Sequence, residues 1–147
     1  MSDGSALAKT NPNPQCPCGS GSSLAVCCGP YIEGGKTAAS AEALMRSRYT
    51  AYVLLREDYL LATWHPDTRP VSLGLTDAVA NQWTGLEVKR HEQQDTAHAS
   101  VEFVARYKVN GRAHRLQEVS RFVRAGGRWF YVDGDTEPAA DPVLKRR

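Results

Sequence analysis

No stretch of this 147-residue chain approaches the ~20 consecutive apolar residues that a membrane-spanning helix requires, so no membrane partner is expected. An apolar leader is missing as well. Met1 to Gln15 is polar and small, with no hydrophobic run ahead of a cleavage site, which argues against secretion and for a reducing, cytoplasmic location. Strong net charge is also absent: 18 Lys and Arg stand against 16 Asp and Glu, and a balance of +2 is too slight to demand a nucleic-acid partner. There is no internal repeat and no long low-complexity tract, which excludes a repeat array. At 41% apolar residues, the composition suits one globular domain of ordinary size with a small appendage.

Cysteine is absent from all of the chain but one short window. Cys16, Cys18, Cys27 and Cys28 follow a C-x-C-x8-C-C spacing. Neighbours so close in sequence cannot bridge each other without strain, although the cross-paired bridges Cys16–Cys28 and Cys18–Cys27 are geometrically conceivable. In a reducing compartment, four thiols converging from two short arms suit a tetrahedral, all-sulfur Zn²⁺ site with Zn–S near ~2.3 Å. The spacing matches none of the common iron–sulfur patterns. Four sulfur ligands leave no open position for water, so the expected role of the metal is structural. Pro17 and the run Gly19-Ser20-Gly21-Ser22-Ser23 permit the turns that bring the arms together.

Along the chain, residues 1–15 read as a flexible lead, 16–32 as the cysteine module and 33–39 as a linker broken by Gly34-Gly35. Ser40 then caps a helix, with Glu42 in its first turn. Met45, Tyr49, Tyr52 and Val53 form its apolar stripe, and Arg46 and Arg48 flank it. A second short helix is predicted over Glu57–Trp64, ending before Pro66. Residues 66–74 read as loop, and a third short helix is predicted over Thr76–Trp83 with Thr76 or Asp77 as its cap.

Strands follow. Gly85–Glu92 is the first, and Ala97–Val109 and Arg112–Arg124 flank Asn110-Gly111, the preferred pair for a two-residue hairpin turn. Gly126-Gly127 joins the second of these to Arg128–Asp133. Tight turns set the register. They place Val101, Phe103, Ala105, Tyr107, Leu116, Phe122, Trp129 and Tyr131 on one face, with Glu118, Ser120 and Asp133 among them. On that register Ser120 pairs with Asp133. The opposite face is mixed, cationic at Arg106, Lys108, Arg115 and Arg121 and apolar at Val119, Val123, Phe130 and Val132, which suits either a solvated surface or a homodimer interface. Helices followed by a meander imply an α+β architecture with the helices laid on the aromatic face. This domain is expected over residues 40–137, with a flexible tail at 138–147.

Cys16-Pro17-Cys18-Gly19-Ser20-Gly21 with Cys27-Cys28-Gly29 resembles the SEC-C zinc motif, found at the end of the SecA translocation ATPase and in many small bacterial proteins. More broadly, Tyr31-Ile32-Glu33-Gly34, the stretch Ala41 to Val53, Thr63-Trp64-His65-Pro66 and Glu118-Val119-Ser120-Arg121-Phe122 resemble the bacterial YchJ-like proteins. The resemblance implies a SEC-C module ahead of a nuclear transport factor 2-like (cystatin-like) cone of helices on a curved antiparallel sheet. It implies no established activity. SEC-C segments usually carry lysines between the second and third cysteines, whereas Gly19 to Val26 carries no charge. Leu24 and Val26 are therefore expected to dock the module on its own domain.

Three functions compete. The first is a binding or adaptor protein that uses the module and cone to recognise a protein partner or the ribosome. The second is an enzyme or small-molecule binder with a pocket in the cone. Its candidates are His65 and Glu118 for catalysis and Arg46, Tyr49, His65 and Glu118 for the pocket, with Arg48 as the alternative cation. The third is nucleic-acid binding through the cationic sheet face. A cavity between the first long helix and the Glu118 strand is the observation that favours the second.

Overall fold

Among the described residues, four named helical segments precede a four-stranded meander. The structure, a computed structural model, describes residues 14–75 and 81–136. A 3₁₀ turn at Leu24–Val26 leads into α1 (Gly29–Ile32), then α2 (Ala41–Val53) and α3 (Glu57–Ala62). Strands β1 (Asn81–Gln93), β2 (His98–Val109), β3 (Arg112–Ala125) and β4 (Arg128–Thr136) form one antiparallel sheet in the order β1-β2-β3-β4. The architecture is α+β. The lead and tail expected at 1–15 and 138–147 lie largely or wholly outside the described residues.

Helix α2 begins where its cap predicts. The Ser40 hydroxyl accepts from the Ala43 amide at 3.1 Å, and Glu42 sits in the first turn. Its buried Leu44, Met45, Tyr49 and Ala51 pack with Val101, Phe103 and Ala105 of β2 and Phe122 of β3. Helix α3 stops at Ala62, two residues short of the expected end. Thr63 turns its hydroxyl back to the Tyr59 carbonyl at 2.8 Å, and Trp64 instead bridges Tyr131 in parallel.

The helix expected over Thr76–Trp83 is corrected at its C-terminal end. Asn81–Trp83 belong to β1, where Trp83 pairs with Tyr107 and packs edge-on to Tyr49. Burial of an aromatic on the sheet outweighs any local preference for helix there. Residues 76–80 lie outside the described set.

The Asn110-Gly111 turn places Val109 opposite Arg112, and the derived register holds along all of β2–β3. The register of β3–β4 holds only from Ala125–Arg128 to Phe122–Tyr131. A bulge then leaves Val132 unpaired, so that Arg121 faces Asp133 and Ser120 faces Gly134. The expected Ser120–Asp133 pair does not form. Asp133 moves to the outer face, where it accepts from Arg121 Nε at 2.6 Å. The outer face is less cationic than its sequence suggests, because Asp133 and Asp135 take up Arg121 and Glu87 lies 3.5 Å from Arg106. Val119, Val123, Phe130 and Val132 are half-buried on it rather than open.

Candidate metal centre and candidate binding cavity

The four cysteine sulfurs lie within 4.8 Å of one another. Cys18 Sγ is 3.6 Å from Cys27 Sγ, and Cys27 Sγ is 4.0 Å from Cys28 Sγ. These separations are far above a disulfide bond, and all four cysteines are free. Metal–sulfur bonds near ~2.3 Å in a tetrahedron give sulfur–sulfur edges near ~3.8 Å, so the cluster has the dimensions to hold a metal ion.

Backbone turns build this geometry. The Cys16 amide donates to Ser22 O at 2.9 Å, and the Gly19 amide returns to Cys16 O at 3.1 Å. Gly19 takes φ +81°, a left-handed conformation that glycine adopts without strain. On the second arm, a Cβ at Gly29 would stand 2.7 Å from Leu24 O, so only glycine lets the chain pass behind Cys27-Cys28. The hydrogen bond with Cys28, followed by those with Ser20 and Cys16, holds the Cys18 thiol down at about 4 against its burial. Cys28 is pushed up by the same bond and by burial, and Cys27 is pushed up chiefly by burial. The cluster therefore favours a thiolate at Cys18 and thiols at Cys27 and Cys28. A divalent cation would replace the thiol protons.

Two residues of α2 fasten the module to the main domain. Thr50 Oγ1, fully buried, lies 3.6 Å from Cys16 Sγ, and Arg46 Nη1 donates to Cys18 O at 3.0 Å. Cys16, Cys18, Cys28 and Ile32 belong to the same buried cluster as Leu44 and Met45. Of the two residues expected to dock the module, Leu24 packs on this core. Val26 does not, being 69% exposed, because the 3₁₀ turn points it outward.

A cavity of about 960 Å³ lies between α2, the loop that follows α3 and the inner face of the sheet. Buried Met45, Phe103, Ala105 and Phe122 form its floor, and exposed Leu55, Ser72 and Gln82 mark its rim. Its polar lining includes Arg48, Glu118 and Ser120, with Thr68, Ser72, Gln82 and Asp133 also on the lining. Arg48 is only 5% exposed. Its Nη1 donates to Leu60 O at 2.8 Å and to Thr63 Oγ1 at 2.7 Å, and its guanidinium carbon lies 4.5 Å from the Tyr131 ring centre and 5.1 Å from that of Trp64. Burial pushes its pKa down. Glu118 Oε2 accepts from Ser120 Oγ at 2.8 Å and from the Tyr131 hydroxyl at 3.5 Å.

Among the residues expected to share a pocket, Tyr49 and Glu118 line this cavity, whereas Arg46 and His65 do not. Arg46 is turned toward the module, with Glu42 at 3.1 Å. The His65 amide donates to Tyr131 O at 2.8 Å, which sends the ring toward Phe130 and into a separate cleft of about 340 Å³ that it shares with His98 and Arg121. Arg48 is the cation of the cavity. Its position was marked in the sequence by lying three residues after Met45 and four before Tyr52, on the apolar stripe itself.

Comparison with known proteins agrees with this geometry. Residues 40–134 match the family model described as YchJ, middle NTF2-like domain. A UPF0225 protein of Ralstonia nicotianae is 59% identical over 140 residues, covering 88% of this chain and 96% of the relative. A UPF0225 protein of Chromobacterium violaceum is 58% identical over 123 residues, covering 81% and 90%. The solution structure of a SEC-C motif containing protein from Rhodopseudomonas palustris superposes with a TM-score of 0.74 at 35% identity, covering 82% of this chain and 96% of that one. The crystal structure of a SEC-C motif containing protein from Psychrobacter arcticus gives 0.69 at 29% identity, covering 86% and 82%.

Proposed function

We propose, for a chain that belongs to the YchJ-like family with its SEC-C cysteines and NTF2-like domain, that a zinc-fastened cone binds a small molecule in its interior. The observation that carries this reading is the cavity of about 960 Å³, apolar on most sides, on which Arg48, Glu118 and Ser120 converge. Pockets that bind small molecules have this character: largely preformed, mostly apolar and supplied with a few placed polar groups.

Zinc is the ion we assign to the sulfur cluster. Thiolates in a tetrahedral set of four favour it, and such a closed site supplies folding energy rather than turnover. Cys16, Cys18, Cys27 and Cys28 would hold the ion, and Thr50 and Arg46 would orient the first arm, which carries Cys16 and Cys18. Four unoxidised sulfurs suit a reducing compartment, so the reading includes a cytoplasmic location. Binding rather than catalysis is proposed because His65, the candidate base, faces another cleft.

A second reading has one observation in its favour. Val26 stands exposed in the uncharged 19–26 segment and offers an apolar contact for a protein partner. The two readings separate in one experiment on the ¹⁵N-labelled, metal-loaded chain. Small aromatic probes should move the indole signals of Trp64 and Trp83, which line the cavity, and leave that of Trp129 unmoved. No response from Trp64 or Trp83 to any probe would end the cavity reading. Metal analysis should find one zinc per chain.

A further inference from the structure

The cavity's charges are arranged in a way that selects its ligand. Both Nη1 hydrogens of Arg48 are spent on Leu60 O and Thr63 Oγ1. Its Nε and Nη2 make no hydrogen bond among the described residues, although the side chain is 95% withdrawn from solvent and lines the cavity. Glu118 takes both of its donors, Ser120 and Tyr131, on Oε2, and Oε1 has no partner among the described residues. Arg48 and Glu118 do not form an ion pair with each other. Tyr131 stands between them, its ring against the guanidinium and its hydroxyl toward the carboxylate.

The cavity thus offers free donors on a cation and a free acceptor on an anion, with no net charge of its own. The other acid on its lining, Asp133, spends its carboxylate on Arg121 at the outer face. An anionic ligand would satisfy Arg48 and be repelled by Glu118, and a cationic ligand would meet the reverse. In a site walled by Trp83, Phe103 and Leu116, either mismatch leaves a charge uncompensated in a low-dielectric setting. Discrimination of this kind works by penalising the wrong ligand as much as by rewarding the right one.

Building on the cavity as a ligand site, we infer that it takes a compact apolar or aromatic molecule of zero net charge whose head group pairs an acceptor, for Arg48, with a donor, for Glu118. A primary carboxamide is the simplest such head. No covalent step is involved.

The test uses three probes of one size: benzamide, benzoate and benzylammonium. Each is titrated into the full, metal-loaded chain while the Trp64, Trp83 and Trp129 indole signals are followed. Benzamide should move the first two saturably, and benzoate and benzylammonium should bind about tenfold more weakly or worse, a factor equivalent to about 1.4 kcal/mol. Glu118→Gln keeps the shape and removes the negative charge, so benzoate should then equal or overtake benzamide. If benzoate or benzylammonium is the best ligand of the parent protein, the neutral class is wrong while the cavity reading stands. If none of the three moves Trp64 or Trp83, both fall. Unchanged benzoate affinity in the Glu118→Gln chain overturns the charge-balance argument. The ranking in the parent protein decides the question even if that variant does not fold.

Discussion

The Glu118 carboxylate fills the space that a side chain on Gly134 would occupy: a Cβ built at Gly134 would fall on Oε2. The bulge at Val132 brings Gly134 opposite Ser120, so the carboxylate, its hydroxyl donor and the missing side chain all meet at one rung of the sheet. Gly134→Ala should therefore evict Glu118 from Ser120. We expect a loss of about 1–3 kcal/mol, the usual cost of overpacking, together with weakened benzamide binding. Urea denaturation checks the first and probe titration the second. Gly85→Ala is the control, since a Cβ there meets nothing within 4 Å. Equal stability of the two variants would show that Glu118 is free to move aside.

Thr50 is buried with its hydroxyl 3.6 Å from Cys16 Sγ. Thr50→Val preserves shape and removes the hydrogen bond. Metal affinity should fall about tenfold, the lower end of what loss of a ligand's supporting contact costs. Competition with a chromophoric chelator measures it. Unaltered affinity would mean that the sulfur needs no such support.

Cys27→Ser should lose the metal. Because Cys16, Cys18, Cys28 and Ile32 share a core with Leu44 and Met45, the damage should reach beyond the module. The thermal midpoint and the near-ultraviolet signal of the aromatic face should both decline. A variant that loses its metal but keeps the parental midpoint would show that the module and the cone fold independently.

At the outer face, Arg121 donates to Asp133 and Asp135. The hydrogen bond from Arg121, then its charge, holds the Asp135 carboxyl below its ordinary 3.8. The sign follows from that depression. The contribution is complete above the unfolded-state value and is lost as the pH falls through the lower folded-state value. Arg121→Gln should therefore be less stable than the parent at pH 6, and the gap should narrow as the pH drops below about 3.8. Both carboxylates are exposed, so the effect should be small and should shrink in salt. Urea midpoints at pH 6 and pH 3 decide it, and a gap that widens on acidification would contradict the pairing.

Much of this was legible in the residues themselves. Asn110-Gly111 is a turn with few alternatives, and one correct turn sets every pair from His98–Val123 to Val109–Arg112. The cysteine spacing pointed to a sulfur cluster because such crowding has few other uses. Residues past the β3–β4 turn were harder to place. Val132 is as good a strand residue as any, so nothing local marks it as the extra one. The bulge reversed Asp133 from inward to outward. The two arginines of α2 were legible in part. Arg46 and Arg48 both flank the apolar stripe on a first reading, but only Arg48 has the three- and four-residue spacing to Met45 and Tyr52 that puts it on the stripe, where Trp64 and Tyr131 from other elements bury it and leave Arg46 to the module. His65 lies outside the cavity because its position depends on a backbone bond to Tyr131, sixty-six residues later in the chain, which no local pattern announces.

Helix α2 serves two tenants. Arg46 and Thr50 answer to the sulfurs, while Met45, Arg48, Tyr49 and Tyr52 answer to the cavity. A single residue inserted after Arg46 would swing everything downstream by about 100° around the axis, and no sliding of the helix could then restore both sets of contacts. Length in this segment is thus constrained as tightly as chemistry.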